Sequence, residues 1–358
     1  MGAQTGIEWT DATWNPIGGC EIHSPGCINC YAQGIAASGR LRDHPVYKGT
    51  TSPSKAGPVF NGTLTILPDD HAGWRWPLTW RGAKQPVLGH GKQSLIFVGD
   101  MSDLFHRDRG FTTIDRVVGT ILLSQHTGQL LTKRADIMAD YFLYPERGEL
   151  ISGVMDLHAP AHWCRREIDD CGGLPNDRLW LGFSAERQKE FDERWTHMRK
   201  LAEVGWTVFV SIEPMLGHIV LPDDFLQLGR RAQVICGFES GSKARPGHPD
   251  WARLLRDQCA TASVPFFWKQ WGSWIDADHW LDQMSPGTVL YKSYPTPWNP
   301  ARPLNFDDAA ILAAITGREG KFEHHSSGHT MIRVGKQSAG RLLDGKEWNQ
   351  FPEVAACQ

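Results

Sequence analysis

The chain lacks any surplus of basic charge: 37 Lys and Arg stand against 40 Asp and Glu, a formal net charge of −3 at pH 7. No overall positive field therefore advertises nucleic-acid binding, and such a contact has to come from a local patch. Long hydrophobic runs are missing too, since no stretch approaches the ~20 apolar residues of a membrane span. The opening MGAQTGIEWTDATW has neither the basic region nor the apolar region of a secretory leader. Cysteine is sparse, because eight in 358 residues is too thin for a disulfide-stapled scaffold. The expectation is a cytoplasmic protein without membrane association, its cysteines reduced or metal-bound. With 41% hydrophobic and 22% charged residues, the chain is neither fibrous nor disordered. Its length exceeds what one minimal core requires.

Tryptophan, by contrast, is plentiful at sixteen, often beside polar residues or proline, as at Trp9, Trp14, Trp74, Trp268 and Trp271. An indole needs an apolar bed and a partner for its N–H, so most of these read as structural anchors of loops.

A second feature is a recurring pattern in which short apolar runs end abruptly in polar clusters. Ser94–Val98 leads into Gly99-Asp100-Met101-Ser102-Asp103, Gln129–Leu131 into Thr132-Lys133-Arg134, and Leu179–Phe183 into Ser184-Ala185-Glu186. Thr207–Ser211 leads into Ile212-Glu213-Pro214, Gln233–Phe238 into Glu239-Ser240-Gly241, and Val264–Trp268 into Lys269-Gln270-Trp271. Continuous runs indicate strands buried on both faces. Between them, Thr112–Ser124, Glu190–Ala202 and Trp251–Ala262 carry helical spacing. Repeated strand, polar turn and helix mean βα units around a parallel sheet.

The predicted fold class is thus α/β, a parallel (β/α) full or partial TIM-like barrel. Ligands of such folds bind at the carboxyl ends of the strands, where the polar clusters fall. Residues 1–275 form the barrel domain and 276–358 a C-terminal extension packed on it. Residues 42–93 read as an extended loop with little regular structure, and 143–177 as a polar helix-and-loop insertion.

The most chemically loaded stretch is TWNPIGGCEIHSPGCINCYA, residues 13–32, with Cys20, Cys27 and Cys30 spaced C-x6-C-x2-C among glycines and prolines. Three close cysteines suit a four-iron, four-sulfur cluster that leaves one iron open to a substrate or cofactor. His23 could complete a Cys3His zinc set instead, so both metals stay open at this point.

The same stretch begins Ile7-Glu8-Trp9-Thr10-Asp11-Ala12-Thr13-Trp14-Asn15-Pro16 and resembles the phage-associated three-cysteine-motif family, grouped with radical S-adenosylmethionine enzymes. The resemblance continues through Gly99–His106, Leu131–Arg134, Trp180–Gly182, Ser211–Gly217, Gly237–Gly241, Pro265–Gly272 and Gly340–Gly345. It implies a radical-SAM-like barrel with the cluster at Cys20, Cys27 and Cys30 and S-adenosylmethionine across the strand ends. Asp100, Ser184, Glu186 and Glu213 are then the cofactor-binding candidates, and Lys133, Arg134, Glu239 and Lys269 the catalytic candidates facing the substrate. A nucleic acid or nucleotide substrate, an electron donor and a partner protein also follow from it. The first cysteine gap is six residues where that superfamily commonly has three, and Asn29 replaces the usual aromatic before the last cysteine.

Other constellations are weaker. His158, His162, Cys164 and Cys171 form an H-x3-H-x-C-x6-C run that admits zinc, but Pro160 interrupts the helix the spacing needs. Cys236 and Cys259 read as small core hydrophobes. Arg40, Arg42, Lys48 and Lys55 could follow a phosphate backbone or simply be solvated. Glu213 and Glu239 could form a carboxylate pair for hydrolysis, though no motif surrounds them.

Overall fold

The apolar runs lie side by side in the order in which they occur along the chain. The computed structural model describes residues 5–89, 93–159, 173–276, 279, 322–324 and 329–353. Seven strands build one sheet: β1 (Ala12–Trp14), β2 (Leu95–Val98), β3 (Thr127–Thr132), β4 (Leu179–Ser184), β5 (Thr207–Ile212), β6 (Ala232–Gly237) and β7 (Phe266–Gln270). Their spatial order runs from β1 to β7 without reversal, and every neighbouring pair is parallel. Right-handed crossovers between strands that never change direction of travel put the connecting helices on one face. The sheet curls into a half-barrel, and among the described residues β1 and β7 do not pair. The partial form of the expected barrel is the one observed.

Helices occupy the three periodic segments of the sequence and further stretches between the strands. Those flanking the sheet are α1 (Tyr31–Ala36), α2 (Phe111–Leu123), α3 (Ala135–Phe142), α4 (Arg147–His158), α5 (Gln188–Glu203) and α6 (Pro249–Thr261). On the outer face α2 packs on α4 and α3 on α5. Residues 42–93 hold more regular structure than expected. Thr51–Ser54 and Gly57–Phe60 form a hairpin, and Thr65–Ile66 pairs with Ile17–Gly18. Their short strands and prolines hide that pairing from a periodicity argument. The His162, Cys164 and Cys171 part of the insertion, like Cys357, lies outside the described residues.

Strand alternation sorts side chains into two cores. Ile96, Val98, Leu130, Leu181, Val210, Val234 and Trp268 join the large core under the helices. Leu95, Phe97, Trp180, Phe209, Ile235 and Phe267 point to the concave side, where Trp9 joins them. Trp9 sits 4.7 Å from Phe97 and 6.2 Å from Phe209 between ring centroids. Its indole N–H donates to Glu213 Oε2 at 3.2 Å. Among the described residues this plug fills the middle of the half-barrel, and ligand space opens toward the rim.

The apolar face of the C-terminal extension belongs to the large core. β8 (Trp274–Asp276), β9 (Phe322–His324) and β10 (Thr330–Arg333) make an antiparallel sheet in the order β8-β10-β9. Ile275, Met331 and Ile332 are fully buried in the main core.

Gly182 is where the concave packing is tightest, because a Cβ there would stand 2.2 Å from the Phe209 ring. Gly182→Val should lower urea-unfolding stability by about 1–3 kcal/mol through overpacking. Adding Phe209→Leu should recover part of that loss. Full additivity of the two changes would rule out the contact as the cause.

Candidate functional site

All seven strands end on one rim, and the cysteine segment is laid across it directly after β1. Glycine makes that path passable. A Cβ at Gly18 would lie 1.7 Å from the Val46 carbonyl oxygen, and Gly19, at φ +86°, passes just as close to Thr63. Arg109 is buried beneath this turn and donates to the carbonyls of Gly18 and Thr65 at 3.1 and 3.3 Å. A 3-10 turn, Pro25–Cys27, then leads to Cys30, the residue that caps α1. Gln33 of α1 donates to the Cys27 carbonyl at 2.8 Å and accepts from the Phe60 amide at 3.1 Å, joining cysteine segment, helix and hairpin.

Cys20, Cys27 and Cys30 line a single open cleft of about 140 Å³, together with His23. Asp100, Lys133, Arg134 and Ser184 of the predicted strand-end set line the same cleft. Its apolar wall includes Phe97 and Leu131 from the concave face. The polar ends of β2, β3 and β4 thus meet the cysteines in one space.

The remaining predicted residues sit around it in ion pairs. Glu186 lies fully buried behind the cleft. It accepts from the Lys133 ammonium, from Ser24 Oγ at 2.7 Å and from Arg194 at 3.3 Å. Burial works against its charge, but Lys133 and Arg194 win, holding the carboxyl below the ordinary glutamate range. A Cβ at Gly26 would fall 2.4 Å from Glu186 Oε1, so the cysteine segment rests directly on this carboxylate. Glu213 pairs with Lys269 at 2.9 Å, β5 against β7. Glu239 takes a bidentate pair from Arg245, at 2.7 and 2.8 Å.

Arg134 is only 3% exposed, with its guanidinium on Asp103 and Glu21, each at 2.7 Å. Thr132 Oγ1 donates to the other Asp103 oxygen at 2.7 Å. Arg134 therefore shapes the cleft wall from within it. Asp100 accepts from Asn15 Nδ2 at 2.5 Å, yet burial raises its pKa above the ordinary carboxylate range.

Burial pushes the Cys20 thiol up to about 12, with Asp103 adding and Arg134 opposing, and it raises Cys30 as well. Both are therefore thiols at neutral pH unless a cationic centre draws off their protons. Among the described residues no group of three or more His, Cys, Asp or Glu converges tightly enough to hold a metal as placed. What suits a soft metal is the donor chemistry, three thiols and an imidazole facing one cleft.

Sequence reasoning missed Ser24, Arg194 and Arg245, which hold the predicted carboxylates. Arg194 sits on α5, eight residues past Glu186, where only the β4–α5 turn brings the two together. Arg245 lies in a Gly/Pro-rich loop with no periodic signal. Asp103 and Arg134 were each visible in a strand-end motif, but their pairing was not deducible.

Glu186 carries a pH signature. A carboxyl whose folded pKa is depressed contributes stability above the ordinary glutamate value and loses it as pH falls through the folded one. Glu186→Gln should flatten this acid limb of a stability–pH curve. Lys133→Met should cost about 1–3 kcal/mol at neutral pH. Denaturant unfolding between neutral and acid pH checks both, and an unaltered acid limb in Glu186→Gln would contradict this account.

The matched description names no activity, and no curated protein and no solved structure matches the chain. A family model described as "Protein of unknown function (DUF5131)" matches residues 4–352, nearly the whole length and including every residue of the cleft, so the chain belongs to the DUF5131 family.

Proposed function

We propose that this protein is a radical S-adenosylmethionine-type iron–sulfur enzyme, similar to the phage-associated three-cysteine-motif proteins, that acts on a nucleic acid or nucleotide. One observation supports the reading most. Three cysteines and the polar ends of three neighbouring parallel strands line the same cleft. A four-iron, four-sulfur cluster on Cys20, Cys27 and Cys30 would bind S-adenosylmethionine at its open iron and supply the electron that cleaves it.

The chain's own groups define what such a ligand meets. Lys133 offers a cation fixed in place by Glu186, suited to a carboxylate or phosphate. Ser184 and Asp100 supply a hydroxyl and a carboxyl on the same wall. Phe97 and Leu131 present an apolar surface that keeps water out. Lys269 and Glu213 neutralise one another across the β5–β7 side of the rim, where the substrate would lie. Arg134 and Glu239 act by positioning, since both are buried in ion pairs. The reading includes an electron donor, a partner protein and a cytoplasmic location.

A zinc-stabilised nucleic-acid-binding or hydrolytic protein is the second reading, favoured by His23 facing the same cleft as the three thiols.

Purification and reconstitution without oxygen should give a brown protein with about four irons and four sulfides per chain. Supplied with a low-potential reductant, it should form 5′-deoxyadenosine from S-adenosylmethionine, and Cys30→Ala should abolish both colour and product while keeping the melting temperature. Colourless protein with stoichiometric zinc, unfolding on chelation, would replace this reading with the second.

A further inference from the structure

The cysteine segment has little internal structure of its own. Between Cys20 and Cys30 its backbone bonds are short turns, such as Cys27 N to Ser24 O at 2.9 Å and Cys30 N to Cys27 O at 3.3 Å. A chain of glycine, proline and turns loses much entropy on ordering, so its shape has to be imposed from outside. Its external anchors include Ser24 and Gly26 on Glu186, Glu21 on Arg134 and the Cys27 carbonyl on Gln33. A further one comes from the loop after β6.

That loop grips the segment at both ends of the C-x2-C pair. Asn29 Nδ2 donates to Glu239 Oε1 and to the Lys243 carbonyl, each at 3.2 Å. Arg245, bidentate on Glu239, also reaches the Pro25 carbonyl at 3.3 Å and donates its own amide to Glu239 Oε2 at 2.8 Å. Lys243 Nζ donates to the Ala56 carbonyl of the hairpin at 2.8 Å. Behind the loop stands the C-terminal sheet. Arg333 of β10 donates to the carbonyls of Gly241 and Ser242 at 2.8 and 2.5 Å. Ser273 exchanges bonds with Gly241, and Trp274 Nε1 donates to the Ala244 carbonyl at 2.7 Å.

We infer that residues 239–245 are a clamp that holds the cysteine segment in its ligand-facing shape, with Asn29, Arg245 and Arg333 as positioning residues. The charge-assisted fork of Arg245 on a nearly buried Glu239 is the rigid part. Asn29 is the contact that transmits it to the residue before Cys30. Through Arg333 the C-terminal sheet serves as the backstop of the clamp. The metal reading gives the clamp its purpose, but the clamp itself holds whichever metal the thiols take.

The test uses the metal-free, full-length chain and a thiol-alkylating reagent, with each cysteine followed by peptide mass spectrometry. Arg245→Ala and Asn29→Ala should each speed labelling of Cys27 and Cys30 on the order of tenfold, the loss of one or two charge-assisted bonds. Arg333→Ala should speed it less, and Arg245→Lys should recover part, since charge returns without the fork. Cys236 and Cys259, both fully buried in the core, should stay slow and report that the barrel remains folded. Unchanged Cys27 and Cys30 rates in both alanine variants would overturn the clamp. So would acceleration of Cys236 and Cys259 in step with them, which signals general unfolding. Asn29→Ala, at a half-exposed position, decides the matter should Arg245→Ala unfold.

Discussion

The buried carboxylate of Glu186 is the interaction on which the rim depends. It joins the end of β4 to Lys133 after β3, to Arg194 on α5 and to Ser24 in the cysteine segment. A fully buried anion is costly without partners, and three donors from three elements compensate it here. Removing any one would take a donor from a buried carboxylate oxygen, so the elements are locked to a common point. The cysteine segment is consequently placed by an electrostatic requirement of the barrel and only weakly by its own sequence.

Topology explains why the functional space lies where it does. Strands in sequential order put the helices outside, and the concave side has to be filled by side chains or by another segment. Trp9 and Phe209 fill it, and Gly182 exists to admit the Phe209 ring. The plug ends in a hydrogen bond to Glu213, which in turn pairs with Lys269. Apolar packing below and paired charge above are thus continuous, and the open cleft is displaced toward β2, β3 and β4.

Much of this was legible from residues. All six apolar runs are strands, and the three periodic segments are helices, because burial on two faces and the 3.6-residue stripe leave direct marks. β1 was not marked by any apolar run, since three residues, Ala12–Trp14, are too few to carry a pattern. The hairpin at residues 51–60 escaped for a similar reason: its strands are short, only partly buried and each carries a proline. Within the site, Asp100, Lys133, Arg134 and Ser184 were marked by their place after buried runs, and the cleft gathers them with the cysteines. The partners of the predicted carboxylates Glu186 and Glu239 were invisible, because Ser24, Arg194 and Arg245 look like ordinary surface residues until the chain is folded.

The sequence by itself determined the parallel α/β class, the rim as the polar face and the three thiols as a set, since periodicity, strand-end polarity and short spacing are local properties. Only the tertiary structure decided that the barrel stays half open and which half of the rim faces the cysteines. It also decided which charges are spent on one another and which face the cleft. Those outcomes depend on contacts between residues up to about two hundred positions apart, such as Trp9 with Glu213 and Asn29 with Glu239. No local pattern encodes such pairs, because each is created by closing a long loop around a shared core.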